Sequence, residues 1–184
     1  MASIQKWRVT GSVLALENRW AKVRRDSCVT PAGVLIEDYY YWEGGDFAQV
    51  FALTPDEHVL LVRQYKHGVK EIVLELPAGM ISSSDGDALV TARRELLEET
   101  GFEAEKWQSM GVLNVSSAKS TTRAYPFLAL GAHRVDGPSL DETEEIEVLL
   151  LPIPDLLDRI TNGEVRDSNS LAACLLALKQ LGRI

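Results

Sequence analysis

The stretch Arg94-Glu95-Leu96-Leu97-Glu98-Glu99-Thr100-Gly101-Phe102 decides how this chain is read. At average residue usage, an R-E-x-x-E-E-x-G run arises by accident in roughly one in ten thousand chains of this length. Its geometry gives it meaning. On a helix of 3.6 residues per turn, Glu95 and Glu99 project within about 40° of each other, and Glu98 lies about 60° to the other side of Glu95. Three carboxylates on one face repel unless a cation holds them. Hard oxygen ligands with no Cys or His nearby suit Mg²⁺ or Mn²⁺ rather than zinc.

Most Glu-rich helices are simply solvated faces laced by i,i+4 pairs, such as Arg94 with Glu98. The flanks argue otherwise here. Leu89, Ala92 and Leu96 form an apolar stripe, and Glu95 and Glu99 lie beside it rather than opposite. Carboxylates at the rim of a buried stripe face a cleft. Gly101 ends the helix as a left-handed cap. Upstream, Leu74-Glu75-Leu76-Pro77-Ala78-Gly79 reads as a strand stopped by Pro and Gly. A strand, a glycine loop and a helix of clustered carboxylates point to a metal-dependent phosphate site as the expectation.

Working outward, residues 20–30 and 33–42 read as strands around Thr30-Pro31-Ala32-Gly33, and 47–53 with 58–65 as a hairpin. A strand at 71–76 precedes the helix at 87–100. Strands are expected at 107–115, 122–132 and 146–151, and helices at 154–161 and 169–181, closed by Gly163 and Gly182. Strands flanking a central helix, then further helices, predict an α+β fold with a mixed sheet between helices.

The segment from Gly79 to Phe102 resembles the signature of the Nudix hydrolases. Val62-Arg63-Gln64-Tyr65 through Gly79, Leu140-Asp141-Glu142-Thr143-Glu144-Glu145, and Gly163-Glu164-Val165-Arg166-Asp167 with Leu171 resemble the ADP-ribose pyrophosphatase branch. The resemblance spans roughly residues 45–180. It implies a Nudix-type sheet sandwich over residues 46–184 and an N-terminal extension of antiparallel strands over 1–45 that can form a dimer by strand exchange. It also implies Mg²⁺ (or Mn²⁺) held by Glu95, Glu98, Glu99 and the Ala78 carbonyl, with Glu144 as a further ligand. By the same resemblance Glu142 is the general base, joined by Glu98 and Arg94 in the catalytic set. Lys119 and Arg123 fall in the loop where the family recognises substrate.

Two departures accompany the resemblance. Six residues after Gly79 stands Asp85 where the family has Glu, and the loop Ser82-Ser83-Ser84-Asp85-Gly86-Asp87 is one residue longer than the pattern. Asp85 or Asp87 either replaces that Glu or caps the helix. ADP-ribose members also carry a proline about sixteen residues past the box, whereas here none occurs before Pro126. The implied reaction is hydrolysis of a nucleoside diphosphate sugar, ADP-ribose to AMP and ribose 5-phosphate. The alternatives are GDP-mannose or another nucleotide sugar, a nucleoside triphosphate pyrophosphatase, or a catalytically weak nucleotide sensor.

Other candidates carry two readings each. Arg63 either grips a diphosphate with its planar fork or pairs with Glu75. Tyr39-Tyr40-Tyr41-Trp42 and Phe47 either stack an adenine or pack a core or dimer interface, and packing is preferred. His58, His67 and His133 have no ligand spacing and take no role. The chain has 184 residues, enough for one domain with a small extension, and a net charge of −8 that disfavours nucleic acid and anionic membrane as partners. Cys28 and Cys174 are read as reduced, buried thiols. No apolar leader or membrane-length run is seen, so a cytoplasmic protein is expected.

Overall fold

A computed structural model describes residues 3–140, 143 and 145–184. The chain divides into two units, residues 1–45 with 114–123, and residues 46–113 with 124–184.

The first unit is an antiparallel sheet of three strands, β1 (Arg8–Glu17), β2 (Lys22–Val29) and β3 (Leu35–Trp42), in that order. The segment 114–123 folds onto it. The Trp42 N–H donates to the Lys119 carbonyl at 2.7 Å, the Thr121 N–H donates to the Trp42 carbonyl at 3.0 Å, and the Tyr39 hydroxyl donates to the Ala118 carbonyl. All ten residues of β1 are exposed, among them Val9, Val13, Leu14 and Leu16.

The second unit holds β4 (Phe47–Leu53), β5 (His58–Lys66), β6 (Glu71–Glu75), β7 (Ala78–Met80), α1 (Ala88–Thr100), β8 (Phe102–Glu103) and β9 (Lys106–Ser109). After β10 (Leu113–Asn114), at the junction, come β11 (Arg123–Leu130), β12 (His133–Arg134), β13 (Ile146–Pro152), α2 (Ile153–Thr161) and α3 (Ser168–Gln180). Its mixed sheet runs β11-β4-β5-β13, with β9 on β11, β7 on β4 and β6 on β5. Only the β11–β4 pairing among these is parallel.

The two-residue period of a strand builds two cores from one sheet. Along β4, Ala48, Val50 and Ala52 join Leu60, Ala92 and Leu96 on the α1 side. Phe51 and Leu53 join Val59, Leu61, Leu156, Cys174 and Leu178 on the side of α2 and α3. Leu60 and Leu96 are fully closed to solvent, and each contributes roughly 1.5–3 kcal/mol. Sheet and helices thus form the expected α+β sandwich. Both cysteines are buried and unpaired, and burial pushes the Cys174 thiol up to about 12. No helix among the described residues is long and apolar enough to cross a membrane.

Four elements escaped the sequence reading. β1 lies ahead of the first expected strand, β7 follows the Pro77 expected to end β6, and β8 pairs with β12 in a two-stranded ribbon. The expected strand at 107–115 is two pieces, β9 and β10, parted at Gly111, whose φ is 97°.

Candidate active site

Helix α1 starts where its sequence dictates. Asp87 is the N-cap, its Oδ1 accepting from the N–H groups of Leu89 and Val90 at 2.8 and 3.0 Å. Asp85 has a different task. Its Oδ2 accepts from the Ser82 N–H at 3.1 Å, the Thr91 hydroxyl at 2.9 Å and the Arg94 guanidinium at 3.2 Å. The Ser82 amide, then Arg94 and Thr91, hold the Asp85 carboxyl well below the usual carboxylate range. The two roles left open by the sequence are therefore divided: Asp87 caps the helix, and Asp85 ties the loop to it. At the far end Gly101, with φ 75°, gives its N–H to the Leu97 carbonyl. A Cβ there would lie 2.3 Å from the Asp136 carbonyl oxygen, so both conformation and space require glycine.

Between those ends the carboxylates converge on β7, the strand that follows Pro77. Glu99 is 4% exposed, and its Oε2 accepts from the Ala78 N–H at 3.0 Å. Glu95 lies so close to the same strand that a Cβ on Gly79 would sit 1.9 Å from its carboxylate. Burial first, and the neighbouring Glu95 charge as well, push the Glu99 carboxyl up to about 8, against the pull of the Ala78 amide. Arg94 grips the rest, meeting Glu95 at 2.8 Å and Glu98 at 2.7 Å besides Asp85. The Glu98 side chain is 43% exposed.

Gly79→Ala gives a direct reading of this contact. The added methyl meets the movable end of Glu95 rather than backbone, so the melting temperature is expected to change by less than about 3 °C. Displacing the carboxylate is expected to lower kcat at least about 10-fold, because even residues that only orient a metal ligand cost roughly 10–100-fold when replaced. Steady-state kinetics beside a melting curve decide it; unchanged kcat would remove Glu95 from the site.

Beside β7 lies a cavity of about 260 Å³, lined by Gln49, Lys66, Glu75, Gly79, Asp167 and Asn169 among others. A second of about 610 Å³ shares Lys66, Glu75 and Asp167 with it and reaches Glu71 and Arg166. Lys66 Nζ stands 2.8 Å from Glu75, whose carboxyl is raised by burial against the pull of that lysine. Lys66 is the functional candidate that reading the sequence missed. Alternation along β5 sets it on the face of Leu60, toward α1, whereas Arg63 shares the opposite face with Val59 and Leu61.

Arg63 is accordingly not with this group. It pairs with Glu147 at 2.9 Å and Glu164 at 3.5 Å, and Glu75, the structural partner considered for it, is taken by Lys66 and Gln64. Lys119 and Arg123 belong to the first unit, where Lys119 Nζ sits 5.0 Å over the Tyr39 ring. Tyr39 also meets Trp7 edge to face at 5.9 Å. Glu142 and Glu144 lie outside the described residues. The chain just before them is moored to the helix, the Ser139 N–H donating to the Glu98 carbonyl at 2.8 Å.

With this geometry in view, comparison with known proteins is decisive. Residues 47–174 match the NUDIX domain. The chain belongs to the Nudix family. Residues 7–42 match the nucleoside diphosphate sugar hydrolase N-terminal domain. An ADP-ribose pyrophosphatase of Mycobacterium tuberculosis (strain ATCC 25618 / H37Rv) is 29% identical over 167 residues, 90% of this chain and 77% of that protein. A GDP-mannose pyrophosphatase of Citrobacter koseri (strain ATCC BAA-895 / CDC 4225-83 / SGSC4696) is 29% identical over 121 residues, 61% of this chain and 62% of that protein. The crystal structure of an ADP compounds hydrolase superposes with a TM-score of 0.86 over the whole of both chains at 21% identity, which shows a shared fold. This Nudix chain is a hydrolase acting on pyrophosphate bonds.

Nudix hydrolases generally use divalent ions such as Mg²⁺. The donors fit in kind: carboxylates and the Ala78 backbone carbonyl, all oxygen, with Glu95 packed where Gly79 leaves room for it. Among the described residues no three His, Cys, Asp or Glu groups are drawn close enough to ligate one ion.

Proposed function

We propose that this chain hydrolyses the diphosphate bond of a nucleoside diphosphate sugar, ADP-ribose first among candidates, yielding AMP and ribose 5-phosphate. The observation that carries the reading is the meeting of Glu95 and Glu99 at Ala78 and Gly79 of β7, beside a cavity with Lys66 at its edge. The names of the relatives from Mycobacterium tuberculosis and Citrobacter koseri support a nucleotide-sugar substrate. The anchored Asp85 supports an intact loop, and so an enzyme rather than a sensor.

Glu95, Glu98, Glu99 and the Ala78 carbonyl would hold Mg²⁺ or Mn²⁺, which supplies neutralising charge to the diphosphate oxygens. Arg94 orients Glu95 and Glu98 toward that task. Lys66 holds a phosphate oxygen by point charge. Glu142 takes the proton from the attacking water as its oxygen bonds to phosphorus and the bridging oxygen departs with the other phosphate. The described chain is tied to α1 at Ser139, three positions before Glu142 in the sequence, which supports this assignment.

The test is a panel of ADP-ribose, ADP-glucose, GDP-mannose and deoxynucleoside triphosphates with Mg²⁺ or Mn²⁺, run in H₂¹⁸O. Turnover of a nucleotide sugar with ¹⁸O in a phosphate product is expected. Label confined to a sugar hydroxyl, or pyrophosphate release from triphosphates alone, overturns it.

The same proposal includes a homodimer formed through the N-terminal strands. β1 is an edge strand with Val9, Val13, Leu14 and Leu16 exposed, a pattern that single soluble chains protect against. Light scattering is expected to give twice the 20.4 kDa chain mass, and a single-chain mass would sink the dimer.

A further inference from the structure

One buried amide among the described residues is left half satisfied. Gln49 is 2% exposed, and its Nε2 donates to the Ser170 hydroxyl at 3.0 Å. Its Oε1 is closed to solvent and has no partner. Turning the amide over only exchanges an orphaned acceptor for an orphaned donor. Buried polar atoms in folded chains are nearly always paired, and an exception marks a place for water or ligand.

Gln49 lines the 260 Å³ cavity beside β7. This cavity shares Lys66, Glu75 and Asp167 with the neighbouring 610 Å³ cavity, so one part of a larger molecule can occupy it while the rest extends beyond. Its polar lining is dominated by acceptors. Glu75 and Asp167 are carboxylates, Asp167 uses Oδ1 to cap α3 through the Ser170 N–H at 2.8 Å, and Asn169 brings a second amide. Lys66 is the single cation and is paired with Glu75. Such a lining repels a phosphate and attracts a neutral group rich in hydroxyl donors. Phe47, the one aromatic residue of the lining, offers an apolar surface to the C–H face of a sugar ring. A nucleobase is more often held by several aromatic faces.

We infer that this cavity seats the sugar half of the substrate, its hydroxyls read by Gln49, Asp167 and Asn169, with Lys66 beside the adjoining phosphate. The inference rests on the nucleotide-sugar reading above and assigns one end of that substrate.

Gln49→Leu and Asn169→Ala test it in the full chain. Gln49→Leu removes the orphaned atom and keeps the volume; Asn169 is only partly buried, so its truncation spares the core. Calorimetry with ribose 5-phosphate, glucose 1-phosphate, mannose 1-phosphate and AMP, at fixed Mg²⁺, reads the two halves separately without turnover. At least one sugar phosphate is expected to bind the wild type, each variant to weaken it roughly 5- to 10-fold, and AMP binding to stay unchanged. In hydrolysis, both variants should lose kcat/KM for ADP-ribose by a similar factor but none for the methyl ester of ADP, which has no sugar there. Equal losses for AMP and sugar phosphate, loss for AMP alone, or no loss at all would each overturn the assignment. A wild type that cleaves neither diphosphate ester sinks the parent reading instead, while the calorimetric comparison still decides the cavity.

Discussion

Glu99→Gln is expected to lower turnover at least about 100-fold and, at pH 8 without divalent metal, to raise the melting temperature. The two effects have one cause. Glu99 is almost fully buried against the Ala78 amide, in the field of Glu95. Glutamine keeps an oxygen to accept that hydrogen bond and removes the charge. A residue that only orients a metal ligand costs roughly 10–100-fold, so a proposed ligand should cost at least the upper end. The stability effect has a definite sign. The folded-state value of about 8 is raised above the ordinary 4.5, so the folded chain retains a proton that the unfolded chain has released. Stability from this group is therefore full below about pH 4.5 and is lost as pH rises through 8, by at most about 1.4 kcal/mol per unit. Metal-free wild type should lose a few kcal/mol across that window, and Glu99→Gln should lose less. Added Mg²⁺ should recover wild-type stability at pH 8 and do little for the variant. Parallel pH–stability curves for the two proteins would show that Glu99 carries no buried charge. Unchanged kinetics would remove it from the site.

What could be read from sequence follows the range of the interactions concerned. Helix α1 and its ends are local: Asp87 bonds two and three residues ahead, and Gly101 bonds back to Leu97. Such features are written in a few adjacent residues. β7 is the reverse case. Ala78, Gly79 and Met80 read as a turn after Pro77, and only pairing with Gln49, Ala48 and Phe47 some thirty residues away makes them a strand. β1 was passed over because Val9, Val13, Leu14 and Leu16 do not keep to one face, and nothing local marks a strand without a buried side. The same distinction separates the site residues. Glu95, Glu98, Glu99 and Arg94 lie in one contiguous run. Lys66 owes its place to strand alternation and to Glu75 across a hairpin, and Arg63, three residues earlier, drew attention because a guanidinium suits a diphosphate so well. Parity along β5 was the available signal, since it separates the two cations onto opposite faces.

Arg94→Lys is expected to lower turnover roughly 10- to 100-fold, although it keeps the charge. Arg94 touches three carboxylates at once, Asp85 at 3.2 Å, Glu95 at 2.8 Å and Glu98 at 2.7 Å, with the Met80 carbonyl at 3.4 Å. A planar fork spans that set; a lysine ammonium is a point charge on a flexible stem and can satisfy only part of it. The carboxylate it abandons decides the outcome. If the Lys settles on Glu98, its i,i+4 neighbour, the Asp85 loop loses its tie to the helix and Glu95 loses its guanidinium partner beside Gly79. Melting should fall by only a few degrees, since the side chain is a third exposed and such pairs contribute little in water. Asp85→Asn separates the two parts of this account. It keeps one acceptor oxygen for Ser82 and Thr91 but removes the charge facing Arg94, so it should cost less turnover than Arg94→Lys. In a double-mutant cycle the two changes should fall well short of additive, because the second breaks a contact already lost. Full additivity would mean that Asp85 serves the loop alone and that Arg94 orders the glutamates without it.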